Sequence, residues 1–264
     1  MKRPLVVAHR GSSARHADNS WAAFEAAASE GSDAIECDVQ ATRDQVIVVR
    51  HDLAIDDRLV ADLCLAEIEA SAPDIVLLSD LLAFAESASI DLLVEIKDPD
   101  AAEPVAHMIV ARPRRDRIVV AGFHGPALAA VKVAAPDVRT SFMMGSVAAA
   151  EELIRLAAAF CADGVHLCWE TRAPRPHCLL DRSAIDRLRR AGMAITLWHE
   201  EREDELRAMV ALEPDAICTN TPAVLRRIVD AHRAVSGVER TGAARDAPQE
   251  QLANATQSTH HEQS

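Results

Sequence analysis

Residues 34–50 read AIECDVQATRDQVIVVR, and the spacing inside this stretch decides the fold. Two β-branched runs, 34–39 (AIECDV) and 46–50 (VIVVR), are separated only by QATRDQ. That gap leaves no room for the crossover helix that joins parallel strands, so the pair is predicted to form an antiparallel hairpin. Working outward, strand-like runs occur at 5–9 (LVVAH), 91–96 (DLLVEI), 117–121 (RIVVA), 138–142 (VRTSF), 163–168 (DGVHLC), 193–198 (MAITLW) and 215–218 (DAIC). Segments of helical period lie between most of them, at 20–30, 79–88, 101–111, 126–135, 147–159, 181–191, 202–211 and 221–234. In the first, Trp21, Phe24 and Ala28 recur at i, i+3 and i+7, and Asn19 is placed to cap the N-terminus. Strands alternating with helices imply βαβ units and a parallel sheet. With 46–50 set aside as a small extra hairpin strand beyond the rim, eight strands remain. They fit an α/β fold of the (β/α)8 TIM barrel type, which takes roughly 250 residues. A doubly wound open sheet is the competing arrangement, but no GxGxxG or P-loop supports it.

The length of 264 residues accommodates one such barrel, expected over residues 1–235. Residues 236–264 lack apolar periodicity and are rich in Gln, Ala, Ser and Thr, so they read as a disordered polar C-terminal tail. Aromatic residues make up only 3% of the chain and tyrosine is absent, so Leu, Ile, Val and Ala must fill the core. This composition excludes a stacking platform for single-stranded nucleic acid. A formal net charge of −13 repels phosphate backbones and anionic lipid surfaces, which argues against nucleic acid partners and stable membrane insertion. No stretch has the length of a membrane span, and Leu5–Ala8 is too short for a signal-peptide core. The six cysteines (37, 64, 161, 168, 178, 218) show no zinc-type spacing and read as reduced thiols. A cytoplasmic protein is expected.

In a barrel of this kind reactive groups collect at the carboxyl ends of the strands. The first strand delivers His9-Arg10-Gly11, the second Glu36 and Asp38, the third Glu95 and Lys97, and the hairpin strand ends in His51-Asp52. Residues i and i+2 share a face of a strand, so Glu36 and Asp38 point together while Cys37 faces the helices. Glu95 and Lys97 pair in the same way. Three carboxylates converging on a barrel mouth repel one another unless a cation sits among them, and a hard divalent ion, Mg²⁺ or Ca²⁺, suits oxygen ligands best. Arg10 and Lys97 add positive charge beside it. The sum is a cationic pocket in an acidic protein, suited to a phosphoryl group. His9 and His51 supply the general acid and general base that phosphodiester cleavage needs, with the division of roles left open.

These residues carry a resemblance. The chain resembles the glycerophosphodiester phosphodiesterases, metal-dependent TIM-barrel hydrolases. The match comprises His9-Arg10-Gly11, Asp18-Asn19-Ser20 in place of an ENT-like triplet, Ala34–Val39, Thr42-Arg43-Asp44, His51-Asp52 and Glu95-Ile96-Lys97. Ile195–Trp198 follows as the counterpart of a WTVN strand, and Asp215–Pro222 as that of a closing GVDGIITDxP. The resemblance implies that Glu36, Asp38 and Glu95 hold the metal, that His9 and His51 are the acid–base pair, and that Arg10 and Lys97 grip the phosphate. It implies hydrolysis of a small-molecule glycerophosphodiester to sn-glycerol 3-phosphate and an alcohol. The chain departs from the family at Asp18, at Gln45 in the usual Asp-Gly turn, after His51-Asp52, and at His199-Glu200 after the tryptophan.

Further candidates for the substrate pocket are Trp198, His166 and His124, with Phe123 beside the last. His16 lies in the loop after the first strand and reads as solvated. The acidic run 200–205 reads as a charged helix start. Two other functions use the same cassette: a phospholipase D- or C-type enzyme acting on lysolipids, and a non-catalytic barrel that binds a phosphorylated ligand. Glycoside hydrolysis leaves Arg10, Lys97 and both histidines unexplained.

Overall fold

The computed structural model describes residues 3–243. Its strands are β1 (Leu5–Ala8), β2 (Ala34–Ala41), β3 (Ile47–Val49), β4 (Ala54–Ile55), β5 (Arg58–Leu59), β6 (Val76–Leu77), β7 (Asp91–Ile96), β8 (Ile118–Gly122), β9 (Arg139–Met144), β10 (Gly164–Cys168), β11 (Ala194–Trp198) and β12 (Ala216–Thr219). The helices are α1 (Trp21–Ser29), α2 (Leu65–Ser71), α3 (Leu78–Ala88), α4 (Ala102–Val110), α5 (Gly125–Ala134), α6 (Ala150–Ala159), α7 (Arg182–Arg190), α8 (Glu203–Ala211) and α9 (Pro222–Ala243).

Strands β1, β2, β7, β8, β9, β10, β11 and β12 pair in parallel in that order, and β12 returns to β1. The ring closes through a short pairing, Val7 opposite Ala34 and Ala8 opposite Ile35. Both faces of the ring are covered, which is why the strands read as nearly continuous apolar runs. Ile35, Cys37, Val39, Leu92, Val94 and Ile96 point outward into the layer shared with the helices. Val7, Ala34, Leu93, Ala121, Met143, Cys168, Ala216 and Cys218 fill the lumen. The lumen is therefore packed at its lower levels, and its polar residues are displaced to the carboxyl end.

The hairpin expected from residues 34–50 is present. Strand β2 outruns the ring, and its last residues pair antiparallel with β3, Val39 opposite Val49, Gln40 opposite Val48 and Ala41 opposite Ile47. Strand β6 adds antiparallel to β3. Val48, Ile55, Val60, Leu63 and Ile68 form a separate small core under this extension. The short elements β4, β5, β6 and α2 escape sequence reading, because two- to seven-residue pieces hold too few repeats to display a period.

Two expectations are corrected. Ser20, not Asn19, caps α1, its hydroxyl accepting from Ala23 N, while Asn19 adopts a left-handed backbone (φ 54°) and turns its side chain inward. The last helix, expected over 221–234, runs on to Ala243 as α9. Once a helix is nucleated on a packed face, each further residue adds a backbone hydrogen bond at little cost, so loss of apolar periodicity does not end it. The remainder of the expected tail, 244–264, lies outside the described residues. All six cysteines are free thiols. Among the described residues no helix is long and apolar enough to cross a membrane.

Candidate active site

The pleat of β2 carries Ala34, Glu36 and Asp38 up the lumen wall, and β7 carries Leu93, Glu95 and then Lys97 just past its end. The paired register sets Asp38 opposite Glu95. One carboxylate oxygen from each of Glu36, Asp38 and Glu95 lies within 4.8 Å of the others, and all three residues are buried. Lys97 Nζ lies 2.6 Å from Glu95 Oε1 and 3.2 Å from Asp38 Oδ1.

Arg10 is aimed into this group by an unusual turn. Arg10 and Gly11 both take left-handed backbone conformations, φ 53° and 84°. The turn lets Arg10 N donate to Glu36 Oε2 at 2.8 Å and brings the guanidinium Nε to 3.0 Å from Asp38 Oδ2. At Gly11 a Cβ would sit 2.6 Å from the backbone of Ala23. Glycine is therefore required twice over, by conformation and by contact.

Burial, with Asp38 and Glu95 as like-charged neighbours, pushes the Glu36 carboxyl well above the usual range. Glu95 is raised to about 7, chiefly by burial and against the pull of Lys97. For Lys97 burial favours the neutral amine, but Glu95 and Asp38 outweigh it and hold the ammonium above its ordinary value. Glu36 Oε1 is buried with no hydrogen-bond partner, and Asp38 Oδ1 has only the Lys97 ammonium at 3.2 Å. Buried, crowded carboxylates fit a hard divalent cation, which would give the Glu36 oxygen the ligand bond it now lacks.

His9 closes the other side. Its ring is 5% exposed, its Nδ1 lies 2.7 Å from Asn220 Oδ1, and its Nε2 lies 3.9 Å from Glu36 Oε2. Burial and the adjacent Arg10 hold this imidazole well below its usual basicity. His51 stands on the rim, partly exposed, with Nδ1 2.9 Å from Asp52 Oδ1. Its segment is anchored from β2: Gln40 Nε2 donates to the carbonyls of Arg50 and Asp52, each at 2.8 Å, and Arg50 N donates to Asp38 O. The structure thus unites Glu36, Asp38, Glu95, His9, Arg10 and Lys97 in one contact network, to which the segment carrying His51 is tied through the Arg50 amide and Asp38 O.

The remaining candidates divide. Trp198 meets His9 edge-on at 5.2 Å and Phe123 at 6.3 Å, so it borders the site. His166 is fully buried in the lumen, 5.8 Å from Trp198, with neither ring nitrogen hydrogen-bonded, and burial pulls it down to about 3. His124 is exposed at the start of α5, and among the described residues no hydrogen bond links it to the acidic trio. His16 is exposed, as expected.

Three contributors were not singled out from sequence. Asn19 Nδ2 donates to Asp38 Oδ2 at 2.8 Å. Asn220 holds His9, and His199 stacks on it, ring centroids 4.8 Å apart. The run 200–205 is not simply a solvated helix start. Only Glu203, Asp204 and Glu205 enter the first turn of α8, and Glu205 is buried against His177. Glu200 turns back to accept from the amides of 201 and 202, and Glu201 accepts from Asn220 N. Their positions in the quoted motifs were visible, but their partners lie across the ring.

Known proteins resemble this chain over most of its length. A glycerophosphodiester phosphodiesterase of Caldanaerobacter subterraneus subsp. tengcongensis is 25% identical over 250 residues, covering 86% of this chain and 98% of the relative. The crystal structure of the glycerophosphodiester phosphodiesterase of Thermotoga maritima superimposes with a TM-score of 0.71 at 19% identity, covering 86% of this chain and all of the other. An Oleispira antarctica phosphodiesterase, solved in complex with the product sn-glycerol-3-phosphate, superimposes with a TM-score of 0.73 at 18% identity, covering 86% and 97%. At these identities the two structures speak to the fold. Residues 9–224, running from the first histidine of the site to the start of α9, match the glycerophosphoryl diester phosphodiesterase family, and the chain belongs to that family.

Proposed function

We propose that this phosphodiesterase hydrolyses glycerophosphodiesters to sn-glycerol 3-phosphate and an alcohol, with Glu36, Asp38 and Glu95 holding one Mg²⁺ or Ca²⁺. The observation that carries the reading is the buried trio with an unpartnered Glu36 oxygen, flanked by Arg10, Lys97 and His9. When bound, the cation supplies Lewis-acid polarisation of the phosphoryl oxygens.

The chain's own groups do the rest. Arg10 and Lys97, held by Asp38 and Glu95, present guanidinium and ammonium donors to the nonbridging oxygens, where charge builds in the pentacoordinate transition state. His9 and His51 are the acid–base pair: one takes the proton of the attacking hydroxyl, and the other gives a proton to the departing alkoxide. Hydrolysis then balances as O–H and P–O bonds broken and made, with water entering directly or after attack by the glycerol 2-hydroxyl. Trp198 walls the pocket beside His9. His166, buried in the lumen beside Trp198, and His124, exposed at the start of α5, are the further pocket residues of this reading.

A second reading rests on Phe123, which is half exposed and packs against Trp198. An apolar surface beside the acid–base pair would suit the chain of a lysolipid, handled by the same residues.

A coupled assay for released glycerol 3-phosphate tests the first reading. Glycerophosphocholine, glycerophosphoethanolamine and glycerophosphoglycerol are each offered with Mg²⁺, with Ca²⁺ and with excess chelator. Release that stops with chelator and in Glu36→Ala supports it. Silence on all three, with turnover of lysophosphatidylcholine, replaces it with the second reading.

A further inference from the structure

His9 is held by three residues from the ends of β11 and β12: Asn220 at Nδ1, His199 on one face and Trp198 at its edge. The relevant residues are His199 and Glu201, which follow Trp198 at the end of β11, and Asn220, which follows β12.

Asn220 follows β12 and has little freedom. Its amide N–H donates to Glu201 Oε1 at 3.0 Å, its carbonyl accepts from Ala14 N at 3.1 Å, and the preceding carbonyl, Thr219 O, accepts from His9 N at 2.9 Å. Its side-chain oxygen receives His9 Nδ1 at 2.7 Å and lies 2.8 Å from the Ser13 hydroxyl. An amide oxygen can only accept, and the one Ser13 hydroxyl hydrogen is shared between it and His9 O at 2.7 Å. With Oδ1 turned to the ring, Nδ1 of His9 carries the hydrogen and the lone pair is on Nε2, the buried nitrogen nearer Glu36.

The ring plane is set separately. His199 lies against one face at 4.8 Å with an interplanar angle of 21°, and Trp198 meets the ring at 5.2 Å and 68°. His199 Nδ1 in turn lies 3.3 Å from Glu201 Oε1, the oxygen that takes the Asn220 amide. One carboxylate thus ties together the group that fixes the tautomer and the group that fixes the plane.

We propose that Asn220 and His199 are positioning residues for His9, Asn220 selecting the tautomer that presents Nε2 to the acidic trio and His199 holding the ring plane. Asparagine does this without placing a second negative charge beside His9, whereas an aspartate would form the same bond as an ion. The inference rests on the assignment of His9 to the reaction.

The test uses the full chain with Mg²⁺ added, ring-labelled histidine, and His9→Gln to assign the His9 signals. In the wild type His9 is expected as the Nδ1–H tautomer. Asn220→Leu keeps the shape but removes the acceptor. It should shift His9 towards Nε2–H and lower kcat on glycerophosphocholine by about 10–100-fold, with KM within about twofold, the range for groups that orient a reacting residue. Asn220→Asp restores an acceptor and should restore the tautomer. His199→Phe, which keeps a stacking ring, should retain most of the kcat that His199→Ala loses. If Asn220→Leu fails to fold, Asn220→Ala reads the same signals. An unchanged tautomer, or a changed tautomer with unchanged kcat, overturns the proposal. Wild-type turnover by His9→Gln would instead overturn the role of His9, and it is read independently of the tautomer.

Discussion

Asn19 and Asp38 bond to each other twice across the barrel mouth: Asn19 Nδ2 donates to Asp38 Oδ2 at 2.8 Å, and Asp38 N donates to Asn19 Oδ1 at 3.3 Å. The pair links the loop after β1 to the inner face of β2. It also fixes which Asp38 oxygen remains for other partners, since Oδ2 is taken by Asn19 and Arg10 and Oδ1 faces Lys97. Replacing Asn19 with Leu strips both bonds from buried groups and should destabilise the fold by about 1–3 kcal/mol in urea titration. Affinity for a divalent cation, read by calorimetry, should fall about 10–100-fold. Unchanged affinity would mean that Asp38 needs no orienting partner.

Metal binding by the trio should be visible without any substrate. A ligand that binds only the native state stabilises it by about 2.7 kcal/mol at one hundred times its Kd. The midpoint of thermal unfolding should therefore rise on adding Mg²⁺ or Ca²⁺ and return with chelator. In Glu36→Gln the rise should vanish. A variant that still responds to the metal would place the cation elsewhere.

His9 and His51 differ in burial but are assigned to one reaction. His9→Ala and His51→Ala should each lower kcat by about 10²–10⁴-fold. Far-ultraviolet circular dichroism should be unaltered. The partly exposed His51 variant should unfold at the wild-type midpoint, whereas loss of the buried His9 ring should cost measurable stability. Near-wild-type turnover in either variant removes that residue from the chemistry.

Gly11→Ala probes the turn that aims Arg10. The left-handed backbone alone costs about 1–2 kcal/mol for a residue with a Cβ. The contact with the Ala23 backbone at 2.6 Å must be relieved by movement of the loop or of α1. Arg10 N would then lose its bond to Glu36, so activity should fall further than stability. Equal losses in unfolding free energy and in activation free energy would indicate a folding defect alone.

Much of the acidic trio and its cations was legible from spacing, because i, i+2 placement at strand ends leaves little freedom: Glu36 with Asp38, and Glu95 with Lys97, share a face in any strand. His9 was legible in the same way. The partners of His9 were not. Asn220 lies 211 positions away in sequence, and no local rule links it to residue 9. Asn19 has the chemistry of a helix cap, and only the inward turn at φ 54° reveals that it serves Asp38 instead.

The sequence by itself determined the alternation of strands and helices, the antiparallel departure after β2, and the clustering of charge at strand ends, since period and loop length are local properties. Only the tertiary structure decided the rest. Closure of β12 onto β1 brings Asn220 to His9, and the positions of 199–201 after β11 supply the stacking ring and the carboxylate that binds both. Contacts between chain ends depend on how the whole ring closes, and ring closure is a property of all eight strands together.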